Sequence, residues 1–210
     1  MSVGRVIHSD ACLAEGAAWL AAAEPRFAAA LELTGPLPLR LKPDGFEALL
    51  SAIVSQQLSV AAANGIWGRL EAAGALTPAG IAQLDDDALR ACGLSRPKIR
   101  YVRALAEADL DYAALRTLPD DEVVARLVEL KGIGVWTAEI YAMFSLGRAD
   151  VFAPGDLALQ EAARLIFELP ERPKDAALRE MATAWSPWRA VAARLLWAYY
   201  RQAKSREGIR

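Results

Sequence analysis

The chain has a single histidine, His8, and two cysteines, Cys12 and Cys92, in 210 residues. That scarcity excludes the usual zinc and iron–sulfur sites, which draw on several His and Cys ligands at short spacing. The cysteines lie far apart, and no disulfide is implied. No apolar run approaches the roughly eighteen residues needed to cross a membrane. The opening MSVGRVIHSDACL lacks an apolar core flanked by a cleavage site, so no signal peptide is expected. Positive charge is also short: 24 Lys and Arg face 26 Asp and Glu, for a net charge of -2. A broadly basic nucleic-acid coat is thereby excluded, but a small footprint on DNA needs only local cations. No stretch alternates in the manner of a strand. No metal, no other cofactor and no membrane segment are expected, and the expected location is the cytoplasm.

What the chain has is helix. It is 54% hydrophobic, and its 210 residues permit one or two compact domains with a substantial core. Phe46, Leu49, Leu50, Ile53 and Val54 fall on one helical face. Ser59 can cap the next helix, which should end at Gly74. Ser95 can cap another running to about Asp109, and Val123, Val124, Leu127, Val128 and Leu130 predict a helix over 120–131. Further helices are expected over 157–168, 175–185 and 188–203. Pro36, Pro38 and Pro43 punctuate a linker. The fold class is all-α.

Two segments carry chemistry. In Lys131-Gly132-Ile133-Gly134, Gly132 can stop one helix in a left-handed conformation, and Gly134 can allow a second tight bend before VWTAEIYAMFSL restarts a helix. Backbone N–H groups left without partners at that helix start would favour a phosphate. Two glycines alone serve a plain helix–turn–helix corner equally well. The second segment, Ala153-Pro154-Gly155, presents Asp156 at the start of another helix. Such an aspartate can be an N-cap and nothing more. A carboxylate placed there accepts backbone N–H bonds, which suits an anion.

Leu130-Lys131-Gly132-Ile133-Gly134-Val135-Trp136-Thr137-Ala138 resembles the helix-hairpin-helix of the DNA glycosylase superfamily. Phe152-Ala153-Pro154-Gly155-Asp156 resembles its Gly/Pro-rich loop with the closing aspartate, at the family's spacing of about twenty residues. Ile53-Val54-Ser55-Gln56-Gln57-Leu58-Ser59, Gly93-Leu94-Ser95-Arg96-Pro97-Lys98 and Trp185-Ser186-Pro187-Trp188-Arg189 are similar to the alkylbase branch, the 3-methyladenine DNA glycosylase II family. The resemblance covers roughly 44–200. It implies two helical domains with a DNA-reading cleft between them: a bundle over 45–148, and a second domain formed by 1–44 plus 149–210, without an N-terminal β domain.

The resemblance also implies roles. Asp156 is the catalytic carboxylate, stabilising positive charge on the deoxyribose as the base departs. Trp136 stands where strand-nicking relatives have a Schiff-base lysine, so the enzyme should be monofunctional. Trp136 and Trp197 offer aromatic faces to a cationic base. Where well-known members have a tyrosine, this chain has Ile140, and the adjacent Tyr141 should point elsewhere. Trp185 and Trp188 read as core. Gln56 is expected at the substrate. Gln57 takes the place of a leucine wedge and should fill the gap left by a flipped base. Lys131, Gly132, Ile133, Gly134, Val135 and Thr137 form the grip on the backbone. Lys131 replaces the family's usual proline and should meet phosphate. Further candidate cations are Arg96, Lys98, Arg100 and Arg103, and the tail residues Arg201, Lys204, Arg206 and Arg210. The implied partner is double-stranded DNA containing alkylated bases, bound by a monomer associated with the nucleoid. The competing expectation is a non-catalytic protein that binds damaged DNA.

Overall fold

The computed structural model describes residues 3–207, the side chains of 206 and 207 excepted. Among them the expectation of an all-α chain holds. The helices are joined by turns, and the strand-like pairing found is one isolated antiparallel bridge between Val6 and Arg148. No described helix is long and apolar enough to cross a membrane. The chain divides into two compact units, residues 42–141 and residues 3–41 with 142–207, and the division falls inside the helix Val135–Phe144.

In the first unit, helix α3 (Phe46–Ser55) buries the face expected of it: Leu49, Leu50 and Ile53 are fully enclosed. Ser59 caps α4 (Val60–Ala72) by accepting the Ala62 N–H at 3.3 Å. Gly74 ends that segment at φ 70. Two short helices follow, α5 (Pro78–Gln83) and α6 (Asp86–Ala91), capped by Thr77 and Asp85. Helix α7 (Arg96–Glu107) starts without a side-chain cap from Ser95. Pro97 presets its first turn instead. After α8 (Tyr112–Leu115) and α9 (Asp120–Val128), the unit ends in the first turns of α10 (Val135–Phe144). Helix α9 stops three residues before the expected end at 131. Tyr141 is buried and accepts the Gly45 N–H at 2.9 Å, so it does point into the unit's core.

The second unit begins with α1 (Asp10–Ala23) and α2 (Pro25–Thr34). It resumes with α11 (Leu157–Ile166), α12 (Asp175–Met181), a 3-10 turn (Ala182–Trp185) and α13 (Arg189–Glu207). Its core is aromatic. Trp185 meets Phe27 and Phe152 edge-on at 5.2 and 5.4 Å and stacks on Phe167 at 5.9 Å. Trp185 and Trp188 are both buried, as expected. Arg194 is 2% exposed. Its guanidinium donates to the carbonyls of Ala190 at 2.9 Å, Leu39 at 3.3 Å and Met143 at 3.4 Å, and lies 4.6 Å over the Phe144 ring. Burial, with the charge of Arg40 as a smaller cause, pushes its pKa down to about 10. A buried charge of this kind is tolerated because carbonyl dipoles replace its water.

Gly16, inside α1, sets how closely the helices of this unit approach. A Cβ there would stand 2.7 Å from Trp188 Cε3 and 2.8 Å from Val191 Cγ2. Alanine in place of a helical glycine ordinarily stabilises by up to ~1 kcal/mol. Here the clash with a buried indole decides the sign. Gly16→Ala should lower stability by about 1–3 kcal/mol in a urea titration, with circular dichroism otherwise unchanged.

Candidate nucleic-acid interface and catalytic loop

In the first unit the hairpin links α9 to α10. Ile133 is buried and its N–H bonds the Leu130 carbonyl at 3.0 Å, which closes the turn. Gly132 takes φ 94, and a Cβ there would stand 2.4 Å from Tyr101 Cγ. Glycine is therefore required twice, by backbone conformation and by the Tyr101 ring of α7. Gly134 differs from expectation. Its φ lies outside the left-handed region, and a Cβ would meet nothing within 4 Å. The bend does not need this glycine; what its absent side chain provides is an open approach to the start of α10. The Gly134 carbonyl accepts the Ala138 N–H at 3.0 Å, so the helix begins here. The first N–H groups of a helix have no acceptor within it and carry its positive dipole end.

Side chains around this helix start divide by exposure. Lys131, Val135 and Trp136 are exposed, Trp136 by 46%. Ile133 and Thr137 are buried, at 4% and 6%. Their share of any backbone grip thus falls to main-chain atoms.

The Gln56-Gln57 turn is joined to the hairpin. Gln56 Nε2 donates to the Gly132 carbonyl at 2.9 Å. The residue expected to meet substrate is therefore engaged with the hairpin across 76 positions of sequence. Gln56 at φ -54, ψ 129 and Gln57 at φ 56 follow the type II turn pattern. The Leu58 N–H closes it onto the Ser55 carbonyl at 3.3 Å. Lys98 also corrects an expectation: its ammonium donates to the carbonyls of Val54 at 2.7 Å and Gln56 at 2.8 Å. Partial burial pulls its pKa down. Arg103 likewise is committed, to Asp86 at 2.8 Å and to the Leu84 carbonyl at 2.8 Å. Arg96 and Arg100 remain exposed.

In the second unit, Asp156 caps α11. Its Oδ1 accepts the N–H groups of Ala158 at 2.9 Å and Leu159 at 3.1 Å. The loop before it is fixed from both ends. Phe152 and Ala153 are buried, and Gln160 Nε2 donates to the Pro154 carbonyl at 2.8 Å. Gln160 was not anticipated, although its place four residues beyond Asp156, one helical turn on, was legible. Trp197 is half-buried, its ring 5.7 Å from Phe144. Of the tail cations, Arg201 and Lys204 are exposed. Arg210 and the Arg206 side chain lie outside the described residues. Among the described residues, no cluster of three or more His, Cys, Asp or Glu could hold a metal ion.

A family model described as HhH-GPD superfamily base excision DNA repair protein matches residues 50–188. The chain is 34% identical over 165 residues to DNA-3-methyladenine glycosylase 1 of Schizosaccharomyces pombe, covering 74% of this chain and 72% of that protein. It is 30% identical to DNA-3-methyladenine glycosylase 2 of Escherichia coli, over 73% of this chain and 57% of that one. The crystal structure of DNA-3-methyladenine glycosidase from Bacillus halodurans superposes with TM-score 0.83 at 35% identity, covering 96% of this chain and 94% of that one. The S. pombe 3-methyladenine DNA glycosylase in complex with abasic DNA superposes with TM-score 0.74 at 30% identity, covering 90% and 97%.

The two hairpin glycines should separate cleanly on substitution. Gly132→Ala combines positive φ with an overlap on Tyr101, and should cost about 2–4 kcal/mol in chemical denaturation. Gly134→Ala should stay within about 1 kcal/mol of wild type, the ordinary difference between glycine and alanine before a first helical turn.

Proposed function

The chain belongs to the HhH-GPD superfamily of base excision DNA repair proteins, and from that premise we propose that it is a monofunctional DNA glycosylase. It removes cationic N-alkylpurines from duplex DNA, acting as a monomer. The observation that carries this reading is Asp156, a carboxylate held by two backbone N–H groups at the head of α11, in the Pro-Gly-Asp loop that follows the hairpin.

The chemistry follows from charge. In an N-alkylated purine the glycosidic nitrogen belongs to a ring that is already positive. When the C1′–N bond breaks, both bonding electrons leave with the base, which departs neutral. The positive charge passes to the deoxyribose as an oxocarbenium-like state. The Asp156 carboxylate opposes that charge in a fixed position, with no reorganisation needed at the moment of reaction. Water then adds to C1′ and gives up its proton, and an abasic site remains. A strong general acid is not needed for a leaving group that carries its own charge.

Trp136 supports the choice of substrate and of subtype. Its exposed indole can stack on a cationic base, an attraction worth roughly 0.5–2 kcal/mol. It cannot form a Schiff base, so the strand should stay intact. The start of α10, opened by Gly134, supplies N–H groups for a phosphate, with Lys131 exposed beside them.

Asp156→Asn should leave duplex binding within about threefold while excision falls by about 10²–10³, since asparagine still caps the helix but lacks the charge. Single-turnover release of base from alkylated duplex measures it, and activity within about tenfold of wild type would remove Asp156 from the mechanism. Borohydride added during turnover should trap no protein–DNA adduct. An adduct that persists in Lys131→Ala would show that another amine attacks the sugar.

A further inference from the structure

We propose that Lys98 is a positioning residue for base extrusion: by tying down the Gln56-Gln57 turn, it presents Gln57 preset to enter the base stack. The inference rests on the glycosylase reading above and adds to it a residue that touches neither base nor sugar.

The first support is where the ammonium goes. Lys98, in the first turn of α7, reaches the C-terminal end of α3 and bonds the carbonyls of Val54 at 2.7 Å and Gln56 at 2.8 Å. The last carbonyls of a helix have no internal donor and carry its negative dipole end, so a cation there satisfies both needs. One of the two carbonyls belongs to the turn itself. The same cation thus fixes the helix end and the first corner of the turn.

The second support is strain. Gln57 holds φ 56 in the third position of a type II turn, where glycine is the usual occupant. A glutamine in that conformation persists only where its surroundings hold it there, and such strain is concentrated at functional positions. Lys98 holds the residue before it by the carbonyl, and the Gly132 carbonyl holds that same residue by its side-chain amide at 2.9 Å. The turn is consequently registered to the hairpin as well as to α7.

The third support is what the turn displays. Gln57, Leu58, Ser59 and Val60 are all exposed, Leu58 by 41% and Val60 by 78%. Apolar side chains on a rigid, projecting corner match the need to fill the space of an extruded nucleotide. A wedge already ordered loses no further backbone freedom on entry. Removing Lys98 should restore that cost, and it should be felt only where a paired base must be displaced.

The test uses the full chain and a duplex with one 7-methylguanine, either paired with cytosine or placed within a bubble of mismatched bases. Single-turnover excision is measured for wild type, Lys98→Met, Gln56→Ala and Gln57→Gly. Lys98→Met should lose about tenfold or more on the paired lesion, the loss expected when one to two residues must be reordered, yet less than about threefold in the bubble. Its binding of undamaged duplex should hold within about threefold. Gln56→Ala should show the same split, and it carries the test by the same criteria if Lys98→Met does not fold. Gln57→Gly, which accepts φ 56 freely but offers no side chain, should also lose only on the paired lesion. A wild-type rate on the paired lesion for Lys98→Met overturns the proposal, and so does an equal loss on both substrates, the mark of a merely structural role. Gln57→Gly at wild-type rate overturns Gln57 as the group being positioned. Wild-type protein that releases no base from either substrate overturns the glycosylase reading itself, and this inference with it.

Discussion

A helix must find acceptors for the N–H groups of its first turn, because none exist within it. Two helix starts of this chain differ in the residue they place at the cap. At the head of α11 the solution is internal: Asp156 takes the N–H groups of Ala158 and Leu159 on one oxygen. The capping interaction that starts the helix also fixes the carboxylate in space. At the head of α10 the residue in the corresponding place is Gly134, which has no side chain to offer and open space where one would be. On the reading proposed above, the carboxylate at one start supports charge in the reaction, and the glycine at the other admits a phosphate.

The hairpin is supported by residues distant in sequence, the Asp156 loop by near ones and by Trp185. The hairpin is shaped by Tyr101, which fills the space a Gly132 side chain would occupy. Gln56 bonds the hairpin from α3, and Lys98 from α7 bonds the turn that carries Gln56. The Asp156 loop is held by Gln160 and by Phe152 packed against Trp185. In each case an apolar contact sets position and a hydrogen bond to a carbonyl sets orientation. Reacting groups need that precision, since misplacement of about 1 Å can cost about a hundredfold in rate.

Much of this was legible in the sequence. The face of α3, the Ser59 cap, the buried Trp185 and Trp188 and the cap at Asp156 all follow from local pattern, and local pattern is what a sequence displays. The short helices Pro78–Gln83, Asp86–Ala91 and Tyr112–Leu115 were not read, because four to six residues are too few to show a period. Lys98 and Arg103 were grouped with DNA-facing cations, as charge alone suggests. Their carbonyl and carboxylate partners lie 17 to 44 positions away, a separation that no local rule spans. Gly134 was read as a bend for the same reason that Gly132 was. Only the environment of each, a tyrosine ring against one and open space against the other, tells a glycine that the fold requires from one that it does not.

On the proposed reading, a fixed carboxylate turns a DNA grip into an enzyme that frees a base and leaves the strand whole. The most direct measurement is incubation of the chain with a duplex carrying a single 7-methylguanine, followed by chromatography of free bases and gel analysis of the strand before and after mild alkali. Free 7-methylguanine should be released, the strand should be intact before alkali, and it should be cut at that one position after it. Tight, lesion-selective binding with no base released would contradict it, and would identify the protein as a reader of damage and not a glycosylase.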